Sequence, residues 1–149
     1  MNYSVLTRRY FDAAPHAGVI AGARTVASLS AGAAANRGIG RGEAGSRAQG
    51  TWVQFDIQVA AGVDVTADAD PHPPVIRAAR FLAYACPHTI AAAAWLAEHA
   101  AGREARVVLP ESVQSLLLRF AVPVEKLGRL LIVEDAWVAA VNAALISGY

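Results

Sequence analysis

The sequence predicts an α+β domain in which helices pack on one face of a small three-stranded antiparallel sheet. Around residue 55 the apolar residues Val53, Phe55, Ile57 and Val59 alternate with polar ones, which is typical of a half-buried strand. After the strands, the apolar residues change to helical spacing. The length of 149 residues is that of one domain with a substantial core, so we expect a single domain over 1–149.

The first 50 residues predict one helix and a segment of weak periodicity. The helix begins at Ser4, a favoured N-cap residue, and is interrupted at Pro15. Its inward positions are Leu6, Tyr10 and Ala13. Residues 17–50 are rich in Gly, Ala, Ser and Arg, so we expect a partly mobile segment with one weak strand near Arg41–Ser46.

Two further strands are predicted on either side of a turn. The alternating stretch Trp52–Val59 is the first, and Val75–Ala85 is the second. The anchors of the second strand are predicted to be Ile76, Phe81 and Tyr84. Between the strands, Ala61–Pro74 contains three Asp and three Pro, which favours a turn. Two strands joined in this way indicate an antiparallel meander.

Three helices are predicted in the C-terminal part of the chain. Ile90–Ala101 consists almost entirely of helix formers and stops at Gly102, a natural C′ residue. Glu111–Phe120 predicts a short helix whose inward residues are Leu116, Leu117 and Phe120. The last helix is predicted to start with Pro123 at N1 and to run to Gly148. Its apolar stripe, which we expect to place Trp137 in the core, comprises Leu130, Val133, Trp137, Val141 and Ala144.

Composition excludes several classes of protein. Thirteen Lys and Arg against 12 Asp and Glu leave a formal charge of +1, without the basic footprint of a general nucleic-acid binder. The longest unbroken apolar run, Ile90–Ala97, falls short of the roughly 18–20 residues of a membrane span. One cysteine cannot form a disulfide within the chain, and the N-terminus shows no signal-peptide pattern. We therefore expect a cytoplasmic protein that binds neither nucleic acid nor membrane.

Cys86 is the one strong nucleophile or soft ligand in the sequence. If Pro87 is the first helical residue, Cys86 is the N-cap, and the free N–H groups of the helix favour its thiolate. His88 offers a second donor or ligand two residues further on. The competing interpretation is structural, because an unpaired cysteine is often a small buried apolar residue. The other histidines, which lack metal-site spacing, are His16, His72 and His99.

Three segments of the chain resemble the NifU N-terminal/IscU family of iron–sulfur cluster assembly scaffolds. They are Met1–Ser4 opening a helix, Phe81–Cys86 leading into an alanine-rich helix, and Glu134–Ala136 in the last helix. The resemblance extends over almost the whole chain and implies the scaffold fold and a role without enzymatic activity. It also implies a cysteine desulfurase as partner, and iron ions, an iron–sulfur cluster or zinc as the bound group.

The resemblance assigns the family's ligand positions to this chain, and only one of three cysteines is present. Cys86 is the second family cysteine. Gln49 stands at the first, and Thr51 at the acidic ligand. Gly128 stands where part of the family has histidine, and Arg129 replaces the third cysteine. We expect the four substituted positions to line the pocket around Cys86.

These substitutions favour sulfur chemistry over metal binding. One thiolate cannot hold a cluster or a tetrahedral zinc ion, so no stably bound cofactor is expected, and Cys86 is the one residual ligand. Arg129 is permanently charged, so it repels a metal ion and stabilises a Cys86 thiolate. The leading hypothesis is therefore a scaffold-family protein that accepts or carries sulfur on Cys86. One alternative is a regulatory module that docks to the desulfurase or to another scaffold without binding metal. Another is a scaffold whose ligand set is completed by His88 or across a homo-oligomer.

The family's chaperone-recognition motif survives only in part. Residues 122–126 read Val-Pro-Val-Glu-Lys where the family motif resembles Leu-Pro-Pro-Val-Lys, so Pro123 and Lys126 are its remnants. A carboxylate at Glu125 would lose hydration in an apolar groove without gaining a partner. We therefore expect weak or no binding to the dedicated chaperone.

Overall fold

The computed structural model describes residues 3–26, 38–60 and 74–148. Within these residues there are four α-helices, three strands and a 3₁₀ turn. They are α1 (Val5–Ala13), β1 (Ile39–Ser46), β2 (Thr51–Val59), β3 (Ile76–Tyr84), α2 (Pro87–Ala100), α3 (Val113–Arg119), the 3₁₀ turn (Val124–Lys126) and α4 (Leu127–Gly148). The predicted α+β class is confirmed.

The strands form an antiparallel meander in the order β1-β2-β3. Gly42, Phe55 and Phe81 lie side by side across the three strands and share the face that carries the helices. β1 begins two residues before the predicted weak strand and lies inside the stretch 17–50, whose mobility stays a prediction. The predicted turn at 61–74 falls almost entirely outside the described residues.

Glycines on β1 allow α4 to pack directly against the strand backbone. A Cβ atom on Gly42 would lie 2.1 Å from the backbone nitrogen of Ala140, and one on Gly40 would lie 2.1 Å from that of Ala144. The later strand residue, Gly42, meets the earlier helix residue, Ala140, and Gly40 meets Ala144, so α4 runs antiparallel to β1. The beginning of α4 therefore lies at the end of the sheet where β1 finishes.

The core lies between the sheet and the helices. The predicted stripe of α4 is completely buried, and Trp137 packs edge-on to Phe55 with 5.0 Å between ring centroids, as expected. By length and composition, Val124–Ser147 is the one helical segment in the described part of the chain that could cross a membrane. Its apolar face is used here to cover the sheet, which accounts for its composition.

A strap formed by residues 16–24 crosses the other face of the sheet. Its backbone bonds to Phe81 at one edge and to Arg41 at the other. In the middle, the Ile20 N–H donates to the Asp56 carboxylate over 2.9 Å, and Arg41 forms a bidentate pair with the same carboxylate at 2.8 and 2.9 Å. Asp56, an outward position of the alternating pattern, is only 1% exposed, because the strap covers it.

Three details of the sequence-based fold are wrong. Tyr84 is 54% exposed, because it stands an odd number of residues from Phe81 and so lies on the opposite face of the strand. Ala13 is exposed at the end of α1, where the chain turns towards the strap. Pro123 has an extended backbone and caps the 3₁₀ turn, so it is not the first residue of α4, which begins at Leu127.

Candidate functional site

Four chain segments converge at one end of the sheet. Trp52 pairs with Tyr84, so the turn at 47–50 between β1 and β2 lies beside the end of β3. The first residues of α2 follow β3 directly, and the antiparallel course of α4 brings its first turn to the same end. The site therefore combines residues that are about 40 positions apart in the sequence.

Cys86 is the N-cap of α2, with Pro87 at the first helical position, as predicted. The thiol is half-buried, and its sulfur lies 3.3 Å from the Thr89 hydroxyl. The Thr89 backbone N–H also faces the sulfur without closing a regular capping hydrogen bond. Arg129, an exposed residue in the first turn of α4, also lowers the pKa of the thiol.

These neighbours favour the charged form of the sulfur. Burial raises the pKa of the Cys86 thiol, which opposes ionisation. The hydrogen bonds from Thr89, the hydrogen bond from Arg129 and the charge of Lys126 outweigh burial, so the net pKa lies below the ordinary thiol value. A thiolate is therefore more available here than at an unperturbed cysteine.

His88 is held as a neutral group beside the thiol. Its side chain is 3% exposed, and the Tyr3 ring packs edge-on against it with 4.7 Å between centroids. Burial, followed by the charges of Lys126 and Arg129, lowers the pKa of His88. The Lys126 Nζ lies 3.3 Å from Nδ1, and because an ammonium group only donates, Nδ1 accepts and Nε2 carries the proton.

The donor set does not suit a metal ion. Within residues 3–26, 38–60 and 74–148, no group of three His, Cys, Asp or Glu side chains is placed to hold one. The Nδ1 atom of His88 contacts the Lys126 ammonium group, and Arg129 is a fixed positive charge that lowers the pKa of the Cys86 thiol. A divalent cation would be repelled here, whereas an anionic sulfur species would be stabilised.

The other residues assigned by resemblance lie at the same end of the sheet, in the turn at 47–50, at the start of β2 and at the start of α4. Gln49 is exposed, and its backbone N–H donates to the Ser46 hydroxyl over 3.2 Å. Thr51 is buried at 4% exposure in the first position of β2. Neither side chain forms a hydrogen bond with Cys86 in the described structure. Gly128 is exposed, and a Cβ added there would meet no atom within 4 Å.

The structure adds two site residues that the sequence analysis missed. Thr89 occupies the position three residues after the N-cap, where a capping box places its second polar residue, and that spacing was the available signal. Tyr3 covers His88 only because α1 lies beside α2, and no local pattern indicates this contact. The lysine–histidine contact joins residues 38 positions apart and likewise has no local signal.

Comparison with known proteins yields a structural likeness alone. No family model matches the chain, and no curated protein matches it. A solved structure with a TM-score of 0.50 covers 95% of this chain and 96% of its own. It is described as an iron–sulfur cluster assembly scaffold protein for the SUF system from thermophilic Fervidobacterium islandicum AW-1. The two sequences are 12% identical, so the likeness establishes a shared scaffold-type fold.

Proposed function

We propose that this chain acts in iron–sulfur cluster assembly as a scaffold-fold protein that accepts sulfur on Cys86. The observation that carries the proposal is a half-buried thiol held between the Thr89 hydroxyl and the cations Arg129 and Lys126. The fold shared with an assembly scaffold supports a role in iron–sulfur cluster assembly. The role is that of a cytoplasmic carrier rather than an enzyme, and the sulfur donor is the persulfide of a cysteine desulfurase.

The transfer proposed for Cys86 is an exchange between two sulfur atoms. The thiolate attacks the outer sulfur of the donor persulfide, so one sulfur–sulfur bond forms as the donor's bond breaks. The donor cysteine leaves as a thiolate, and Cys86 becomes the persulfide, with no net oxidation or reduction. Arg129 and Lys126 stabilise the negative charge before and after the exchange.

Charge also argues that the chain does not itself build a cluster. A cluster needs several thiolates, and this chain has one. By resemblance, Arg129 stands at the third ligand position of the family, and its guanidinium lowers the pKa of the remaining thiol. Chaperone binding is expected to be weak, because the Glu125 carboxylate, which is exposed to water here, would lose its hydration in an apolar groove without gaining a partner.

Alkylation of Cys86 by iodoacetamide at a series of pH values tests the electrostatic basis. Because this is the only cysteine, the label reports one site. The midpoint should lie below that of N-acetylcysteine, and Arg129→Leu or Thr89→Val should raise it, since each removes a stabilising partner of the thiolate. Arg77→Leu is the matched control, because Arg77 is exposed at the far end of β3, well beyond a Debye length of about 8 Å. Equal midpoints for Arg129→Leu and wild type would contradict the proposed anion site.

Sulfur acceptance itself is tested with a cysteine desulfurase and free cysteine. Intact mass spectrometry should show one added sulfur atom per wild-type chain and none on the Cys86→Ser variant, with both proteins retaining the same affinity for the desulfurase. Desulfurase binding without any added sulfur would instead favour the accessory docking module. A stoichiometric cluster that survives desalting would instead favour a conventional scaffold that holds the cluster itself.

A further inference from the structure

His88 and Lys126 form a polar contact beside the thiol. His88 lies in the first turn of α2, two residues after Cys86, so one helix start carries both side chains. Lys126 ends the 3₁₀ turn that leads into α4 and reaches the imidazole from that turn. Its Nζ atom lies 3.3 Å from Nδ1 of His88. The contact therefore connects the segment that carries the ammonium group to the helix that carries the thiol.

The imidazole of His88 has a fixed place in this contact. The side chain is buried, and the Tyr3 ring packs edge-on against it with 4.7 Å between the ring centroids. The Lys126 ammonium group also lies over the Tyr3 ring, 6.0 Å from its centroid, which is within the range of a cation–π contact. A buried ring in close packing has little room to turn, so Nδ1 keeps its direction towards the lysine.

His88 contributes placement rather than charge. Because an ammonium group only donates hydrogen bonds, Nδ1 accepts and the imidazole is neutral, so the pair carries the single charge of Lys126. A lysine side chain has a flexible four-carbon stem, and an ammonium group that is not held occupies many positions. The charge of Lys126 lowers the pKa of the Cys86 thiol, and the effect of a charge depends on its distance. A contact that restricts Nζ therefore determines how strongly this charge acts on the sulfur.

We propose that His88 is a positioning residue for sulfur acceptance, whose Nδ1 atom holds the Lys126 ammonium group where its charge stabilises the anionic sulfur of Cys86. This role rests on the proposed function and differs from the auxiliary metal ligand that the sequence suggested for His88. In this role His88 acts through Lys126 and exchanges no proton with the sulfur. Lys126 is the only lysine in the chain, so the contact can be measured at one ammonium group.

NMR relaxation of the ¹⁵N-labelled lysine Nζ tests the positioning directly. Motion of Nζ should be restricted in the wild-type protein. His88→Phe keeps a ring against Tyr3 but removes the acceptor, so the motion of Nζ should increase. His88→Asn keeps an acceptor one bond from Cγ, where Nδ1 lies in histidine, and should retain the restricted motion. Equal Nζ mobility in wild type and His88→Phe would overturn the proposal.

Alkylation of Cys86 by iodoacetamide at a series of pH values measures whether the placement matters to the thiol. Lys126→Met should raise the midpoint by roughly 0.2–0.7 pH units, the range expected when one partly exposed charge is lost. His88→Phe should raise it similarly although it removes no charge, and the double variant should add nothing further, since both act through one ammonium group. His88→Asn should keep the wild-type midpoint. An unchanged midpoint in either Lys126→Met or His88→Phe, or additive increases in the double variant, would overturn the proposal.

His99→Phe is the matched control, because it makes the same change on the same helix. His99 is exposed and lies eleven residues after His88, about 16 Å along α2 at 1.5 Å per residue and beyond a Debye length of about 8 Å. Its midpoint should equal that of wild type, and an increase as large as that of His88→Phe would refute a specific role for His88.

The desulfurase assay separates this inference from the proposed function. A wild-type chain that gains no sulfur but shows the expected midpoints would refute sulfur acceptance and leave the placement of Lys126 by His88 intact. A wild-type chain that gains one sulfur atom, with an unchanged midpoint in His88→Phe, would refute the placement alone.

Discussion

The contact between Gly42 and α4 predicts that a single methyl group will destabilise the domain. Gly42→Ala would place its Cβ 2.1 Å from the Ala140 nitrogen and 2.4 Å from the Ala136 carbonyl oxygen. Ordinary van der Waals contact begins near 3.4 Å, so the helix must withdraw from the strand by more than an ångström. Both neighbours are backbone atoms of a regular helix, so no side-chain rotation can relieve the overlap.

The loss of stability in Gly42→Ala comes from the contacts that loosen when α4 moves away from β1. A radial gap of roughly 0.5–1 Å already forfeits a quarter to a half of a van der Waals contact. The contacts at risk include the edge-on pair of Trp137 and Phe55, both completely buried. Overpacking of this kind typically costs about 1–3 kcal/mol, so we expect Gly42→Ala to lose that much free energy of unfolding.

Equilibrium urea denaturation measures this loss, and the chain offers a matched control for it. Gly128→Ala makes the same chemical change in the first turn of α4, where a Cβ would meet nothing within 4 Å. It should stabilise the protein by about 0.5–1 kcal/mol, because glycine is a poor helix former. A Gly42→Ala protein within about 0.5 kcal/mol of wild type would refute the close approach of β1 and α4.

Three other measurements address charge and metal binding. Glu111→Gln should cost roughly 0.5–1 kcal/mol at neutral pH by breaking the bidentate pair with Arg119. Hydrogen bonds from Arg119 hold the pKa of Glu111 below its ordinary 4.5, so the pair stabilises the fold above that pH. Urea denaturation should show that the difference in stability between wild type and Glu111→Gln disappears as the pH falls through the lowered pKa. Lys126→Met should raise the pKa of His88, because it removes one of the two cations that lower this pKa. NMR titration of the imidazole measures the pKa, and an unchanged value would contradict the contact between Lys126 and His88. Anaerobic reconstitution with iron and sulfide should leave far less than one metal ion per chain by elemental analysis, because the site offers one thiolate between cations.

Much of the local structure could be predicted because it depends on residues close together in the sequence. Alternation identified β2, and its spacing reflects the strict two-residue repeat of side chains along a strand. Pro87 placed Cys86 at the N-cap, since proline suits the first helical position. The resemblance predicts that Arg129 lines the pocket around Cys86, and Arg129 is among the groups that lower the pKa of the thiol. Tyr84 shows the limit of such rules, because an apolar strand residue faces the core only when its parity matches the buried face.

By itself the sequence determined the element order, the α+β class and the position of one thiol at the start of a helix. Only the tertiary structure decided which charges meet that thiol and which polar groups lose contact with water. The strap buries Asp56, and the Lys126 Nζ lies 3.3 Å from His88 Nδ1 although the two residues are 38 positions apart. The Trp137 indole is left without an acceptor in the described chain. Capping and periodicity act over a few residues, whereas these contacts join segments that are far apart in the chain. The burial of Trp137 among them depends on how closely α4 can approach the sheet. That approach is set by the glycines of β1, whose missing side chains leave no local pattern.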